Sequence, residues 1–122
     1  MFRPDSPFTI YAIQCKTTKR MYIGRTQVEV EERIKAHLTL LRNNKHTSKL
    51  FQEEYNQYGE DEFVYYILEE GISYKNRFKE CEYMDKYKTC NPRYGYNRQD
   101  NHSRARGCIK KAQGIPDVPN KN

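Results

Sequence analysis

Phe8-Thr9-Ile10-Tyr11-Ala12-Ile13-Gln14 and Arg20-Met21-Tyr22-Ile23-Gly24-Arg25 are the two stretches on which the reading of this chain turns. Both are rich in aliphatic, β-branched and aromatic residues, and the polar Lys16-Thr17-Thr18-Lys19 lies between them. That pattern predicts two antiparallel strands of a hairpin, although no Asn-Gly or Asp-Gly pair names the turn type. Alternation puts Tyr11 and Ile13 on one face of the first strand and Ile10 and Ala12 on the other. Each strand presents a tyrosine, Tyr11 and Tyr22, with ten residues between them.

Outward from the hairpin, residues 29–43 predict a helix. Glu29, Glu31 and Glu32 crowd its first turn and Arg42 falls in its last, as the helix dipole favours. Val30, Ile34, Leu38 and Leu41 recur at three- and four-residue spacing and should face a core. A second helix is expected over 47–58, capped by Thr47 or Ser48 and stopped by Gly59. Phe63 to Leu68 suits a third strand, and Ser73 should cap a third helix running to about Thr89. Asn91-Pro92-Arg93 breaks that helix, and Gly95-Tyr96-Asn97 closes the domain. The order β-β-α-α-β-α predicts a small α+β domain over residues 1–97, a three-stranded antiparallel sheet flanked by three helices. Tyr55, Tyr58, Phe63, Tyr65 and Tyr66 are read as core and sheet packing.

A chain of 122 residues, 36% apolar and 31% charged, has room for one domain with a thin core. No apolar run approaches a membrane span and the N-terminus lacks a secretory apolar region, so an intracellular, non-membrane protein is expected. Cys15, Cys81, Cys90 and Cys108 are scattered without zinc-finger spacing, which argues for free thiols and against structural zinc. Residues 98–122 hold six Lys or Arg against two Asp, net +4, leaving only +2 of the whole-chain +6 for residues 1–97. The last segment therefore reads as a basic, flexible tail or linker. A basic body with a more basic tail suits a phosphate-bearing partner, because Lys and Arg release condensed counterions.

Arg33 and His37 lie one turn apart on the first helix and project from the same side. Glu80 sits early in the third helix, ahead of Cys81-Glu82-Tyr83-Met84-Asp85-Lys86-Tyr87. Glu82 is two residues on and hence about 200° around that helix. Each of these has a plain alternative: Tyr11 and Tyr22 as core aromatics, Arg33 paired with Glu29, His37 half-buried, Glu80 in solvent. Their joint occurrence in order is harder to explain that way.

Taken together, the Thr9-Ile10-Tyr11 and Tyr22-Ile23-Gly24 strands, Arg33, His37, Glu80 and Gly95-Tyr96-Asn97 resemble the GIY-YIG nuclease family. A threonine stands where the first family glycine would be. The resemblance runs over residues 9–97 and looks most like the catalytic modules of phage and mobile-element homing endonucleases. It implies a DNA endonuclease that hydrolyses phosphodiester bonds to 5′-phosphate and 3′-hydroxyl ends. It also implies one Mg²⁺ or Mn²⁺ per site on Glu80, and no small-molecule cofactor. Tyr11 is then the candidate general base, Tyr22 and His37 its partners, and Arg33 the group that meets the non-bridging oxygens. Arg25, His46, Ser48 and Asn97 are candidates for substrate binding, with Asn97 holding a metal water or Tyr22. A small module has little surface for reading bases, so weak specificity or a homodimer on DNA is expected. An inactive nucleic-acid-binding module, an RNA-directed nuclease and an interaction adaptor are the rival functions.

Overall fold

A computed structural model of the chain describes residues 7–98. The tail beyond Arg98, with Cys108, Arg104, Arg106, Lys110 and Lys111, lies outside the described residues, as does most of the segment before Phe8. Strands β1 (Phe8–Cys15) and β2 (Met21–Thr26) form the expected hairpin, and helices α1 (Val30–Arg42) and α2 (Lys49–Tyr58) follow. Then come β3 (Phe63–Ile72), a short 3-10 turn over Tyr74–Asn76 and helix α3 (Lys79–Tyr87). The three strands are ordered β2-β1-β3 and antiparallel throughout. This is the α+β arrangement predicted from the sequence.

β1 is central because both of its faces are apolar, and the molecule has a core on each side of it. Tyr11, Ile13 and Cys15 pack with Val30, Ile34, Leu41, Phe51 and Tyr96, on the side of α1 and α2. Ile10 and Ala12 pack with Phe8, Ile23, Ile72 and Met84, on the side of α3. Full burial of a side chain such as Phe51 or Ile10 is worth about 1.5–3 kcal/mol. On α1 the buried stripe is Val30, Ile34, His37 and Leu41, so a histidine takes a place in an otherwise apolar face. Ser48 caps α2 by accepting a hydrogen bond from the Phe51 amide. Gly59 ends that helix in the left-handed region at φ 89°.

The second half departs from the expected boundaries. β3 continues four residues beyond Leu68, because its pairing with β1 shifts register twice and Gly71, at φ 70°, supplies the left-handed turn the bulge needs. Ser73 consequently caps a 3-10 turn rather than the helix, accepting from the Asn76 amide through its carbonyl and from Asn76 Nδ2 through its hydroxyl. α3 starts only at Lys79. Tyr65 and Tyr66 are not core residues either: they lie exposed on β3, an edge strand, Tyr65 reaching Glu31 at the start of α1. Tyr55, Tyr58 and Phe63 do pack against the α1/α2-side core.

The other sheet edge is closed by the C-terminal segment. Gly95 forms a parallel bridge with Met21, and the Met21 amide and carbonyl bond to Tyr94 and Tyr96. Two residues on, the Asn97 side chain completes the edge: its Oδ1 accepts from the Ile23 amide at 2.8 Å and its Nδ2 donates to the Ile23 carbonyl at 3.0 Å. The amide thus pairs with β2 as a strand residue would. Among the described residues no helix is long and apolar enough to cross a membrane.

Candidate active site

Tyr11 leaves the middle of β1 toward α1, and its position opposite Gly24 across the hairpin explains how so large a ring fits there. A Cβ at position 24 would lie 2.6 Å from Tyr11 Cζ, so the absent side chain is the space the phenol occupies. The Tyr11 hydroxyl sits 2.8 Å from His37 Nε2. His37 Nδ1 in turn lies 2.9 Å from His46 Nε2, and the Ser48 amide donates to His46 Nδ1 at 3.0 Å. A continuous row therefore runs from the phenol through two imidazoles to the first residues of α2. Tyr22 packs edge-on against both rings, with centroids 4.9 Å from His37 and 5.6 Å from His46.

Arg33, exposed on α1, lies at this end of the row close enough for its charge to act on the Tyr11 phenol. It makes no ion pair among the described residues. Burial pushes the Tyr11 phenol well above its ordinary value, the neighbouring Tyr22 adds to this, and Arg33 opposes both. Burial also lowers His37 to about 3, helped by Arg33 and then His46. His46 falls to about 4 for the same reason, with Arg33 contributing. Both imidazoles are consequently neutral at physiological pH.

Glu80, in the first turn of α3, is buried yet acts on Tyr11 through its charge. Its Oε1 is 3.5 Å from Arg25 Nε. Arg25 is held on three sides: it also donates to the Arg77 carbonyl at 3.1 Å and lies 5.0 Å over the Phe8 ring. The structure therefore places Arg25 beside the carboxylate, where the sequence suggested only a phosphate contact. Ser48 is buried, its hydroxyl donating to the Tyr96 carbonyl at 2.7 Å. Asn97 is engaged with Ile23 as described. An open groove is lined by Ser48 and Asn97 together with Thr47, Lys49, Leu50 and Arg98.

Two contributors escaped the sequence reading. Gln52 accepts from the His46 backbone amide at 3.0 Å and donates to the Leu41 carbonyl at 2.8 Å, fixing the loop that carries His46 to the end of α1. The only signal for it was its position four residues after the cap. The Ser48 backbone amide left no signal at all.

The family model of the GIY-YIG catalytic domain matches residues 7–97. The chain belongs to the GIY-YIG family. Among solved structures, the catalytic domain of the intron endonuclease I-TevI, in a point-mutant form, is 26% identical, covering 75% of this chain and 92% of that one with a TM-score of 0.66. A second structure of the catalytic domain of the homing endonuclease I-TevI is 25% identical, covering 74% and 98% with a TM-score of 0.64. No curated relative matches by sequence. Membership of this catalytic family makes the chain an endonuclease, and the row of Tyr11, His37 and His46 lies within the GIY-YIG domain.

The donor set can be tested against the metal that GIY-YIG nucleases use. No cluster of three or more His, Cys, Asp or Glu suited to a metal occurs among the described residues. One buried carboxylate fits a hard cation that keeps most of its coordination for water and phosphate, and does not fit a closed structural site.

Proposed function

We propose that this protein is a divalent-metal-dependent DNA endonuclease that cleaves by direct attack of water on phosphorus. The observation that carries this reading is the meeting of Tyr11, Arg33 and His37 at one point on the α1 side of the hairpin, within the charge field of Glu80. Hydrolysis needs a base for water, positive charge for the phosphorane and stabilisation of the leaving oxygen. Tyr11, after giving up its own hydroxyl proton to solvent, takes as phenolate the proton of the attacking water as that oxygen bonds to phosphorus. The P–O3′ bond then breaks with its electron pair on the 3′ oxygen, which takes a proton from water, giving 5′-phosphate and 3′-hydroxyl ends.

Arg33 presents its planar fork to the non-bridging oxygens, a geometry that lysine lacks. Glu80 would hold one Mg²⁺ or Mn²⁺, which when bound supplies charge to the leaving oxygen. Tyr22 buttresses the His37 ring edge-on and so keeps it aligned with Tyr11. Lys49 and Arg98 line the outer groove and suit the flanking backbone, with the net +4 of residues 98–122 adding salt-sensitive affinity. The likeness to the I-TevI catalytic domain supports DNA as the substrate.

The test is incubation with supercoiled plasmid and Mg²⁺ or Mn²⁺, beside Glu80→Ala, Arg33→Ala and an EDTA control. Nicked or linear product from the wild type alone, with both variants still shifting DNA, is the expected result. A wild type that shifts DNA and cuts it with neither metal would reduce the protein to a binding module.

A further inference from the structure

The Ser48 amide is the one member of the Tyr11–His37–His46 row whose hydrogen cannot move. A backbone N–H only donates, so His46 Nδ1, 3.0 Å away, must be an unprotonated acceptor. A neutral imidazole carries one hydrogen, and that of His46 is therefore on Nε2. His46 Nε2 faces His37 Nδ1 at 2.9 Å, so His37 Nδ1 accepts. The His37 hydrogen is then also on Nε2, which faces the Tyr11 oxygen at 2.8 Å.

We infer that the Ser48 amide fixes the direction of this entire row, making His37 a hydrogen-bond donor to Tyr11 and His46 the positioning residue that holds it so. His37 consequently cannot take the phenolic proton of Tyr11. The opposite direction would put a hydrogen on His37 Nδ1 and require His46 to accept at Nε2. His46 would then carry its own hydrogen on Nδ1, pointing at the Ser48 N–H. Two donors would face each other at 3.0 Å in a buried site.

The surroundings hold this arrangement in place. The Ser48 hydroxyl donates to the Tyr96 carbonyl at 2.7 Å and caps α2, which aims the amide at His46. Gln52 cannot be turned over, because its Nε2 is needed by the Leu41 carbonyl and its Oε1 by the His46 amide. His46 and Ser48 are thus part of the base's support. Arg33 draws the Tyr11 phenol down against the burial that raises it, and a donor on His37 Nε2 adds to that pull toward the phenolate, the form that can accept a proton from water.

The catalytic meaning rests on Tyr11 being the base, but the direction of the row can be measured without DNA or metal. In the full chain with ¹⁵N-labelled histidine, long-range ¹H–¹⁵N correlation at pH 7 should show His37 and His46 as neutral Nε2–H tautomers. An Nδ1–H tautomer or a cation at either ring would overturn the inference, whether or not the protein cleaves. Ser48→Ala removes the hydroxyl and keeps the amide, so both tautomers should persist even if the melting temperature falls. Ser48→Pro removes the N–H itself at a residue with φ −87° and should release His46 to a mixture of tautomers. Unchanged tautomers in Ser48→Pro would show that the amide does not set the direction.

Discussion

Tyr11 and Tyr96 are both almost fully buried, at 1% and 2% exposure, and both belong to the core on the α1/α2 side of the sheet. Burial drives both phenols upward. Their hydroxyls nevertheless do opposite things. Tyr96 donates to Glu54 Oε1 at 2.6 Å, and Glu54 also accepts from Thr18 at 2.8 Å and pairs with Arg20. A carboxylate acceptor holds the phenolic proton in place, and Tyr96 with Glu54 ties the hairpin turn, α2 and the C-terminal segment together. Tyr11 instead accepts from His37, with the Arg33 charge beside it, and its proton has no acceptor in the row. Burial alone thus says nothing about which tyrosine is chemical; the sign of the hydrogen bond does.

Exchanging each tyrosine for phenylalanine should separate the two roles most widely. Tyr11→Phe is expected to lower the cleavage rate by about 10²–10⁴-fold, the usual contribution of a positioned base, with little change in melting temperature. Tyr96→Phe should leave the rate nearly intact at a temperature where both proteins are folded. It should cost about 1–2 kcal/mol of stability in urea unfolding, through the lost bond to Glu54. A reversed pattern would break the comparison.

Acid should act on the Tyr11 side first. The folded pKa values of His37 and His46, about 3 and about 4, lie below the ordinary 6.5, so between these values the unfolded chain binds more protons. Their neutral forms therefore cost nothing above about pH 6.5, and stability falls as pH drops from there toward 4. Melting curves at half-unit steps should show this decline, and His46→Gln should flatten it. A flat profile between pH 7 and 5 would mean that the row is not held neutral.

The comparison extends to the two buried glutamates, with the smallest effect. Glu54 meets Thr18, Arg20 and Tyr96 at the hairpin turn, whereas Glu80 meets Arg25 at 3.5 Å beside the site, a contact with which a bound cation would compete. Arg25→Ala should lower the Mg²⁺ concentration giving half-maximal cleavage by no more than about fivefold, the scale of a partly exposed ion pair. A rise in the required Mg²⁺ would show that Arg25 presents Glu80 to the metal instead of competing for it.

The first half of the molecule was legible because periodicity is a local property. β1, β2 and α1 announce themselves by spacing alone, whereas the grouping of Tyr11 with Arg33 and His37 came from the family resemblance. The far end of β3 was not legible, since a bulge with Gly71 in the left-handed region extends a strand where composition suggests a stop. That extension in turn moved the cap from α3 to a 3-10 turn. Tyr65 and Tyr66 misled because aromatic alternation marks a strand without saying whether anything covers it. At the site, residue types identified Tyr11, Arg33, His37 and Glu80 as candidates, and the fold brings the first three into contact. Ser48 was named as a cap and a substrate contact, but the bond of its amide to His46 was not legible, because a backbone N–H carries no residue-type signature. Glu54 escaped because a carboxylate on a polar helix looks solvated until its three partners are seen.

The fit of Tyr11 over Gly24 has a consequence for how the hairpin finds its alignment. The two residues are direct partners across β1 and β2, and position 24 is the place on β2 where the ring is admitted by an absent side chain. Sliding β2 by one residue would set Ile23 or Arg25 opposite the phenol and turn every inward side chain outward. The glycine therefore acts as a key for register: a misaligned hairpin would set the phenol against a side chain. The residue that makes room for the base also selects the pairing in which the base can exist.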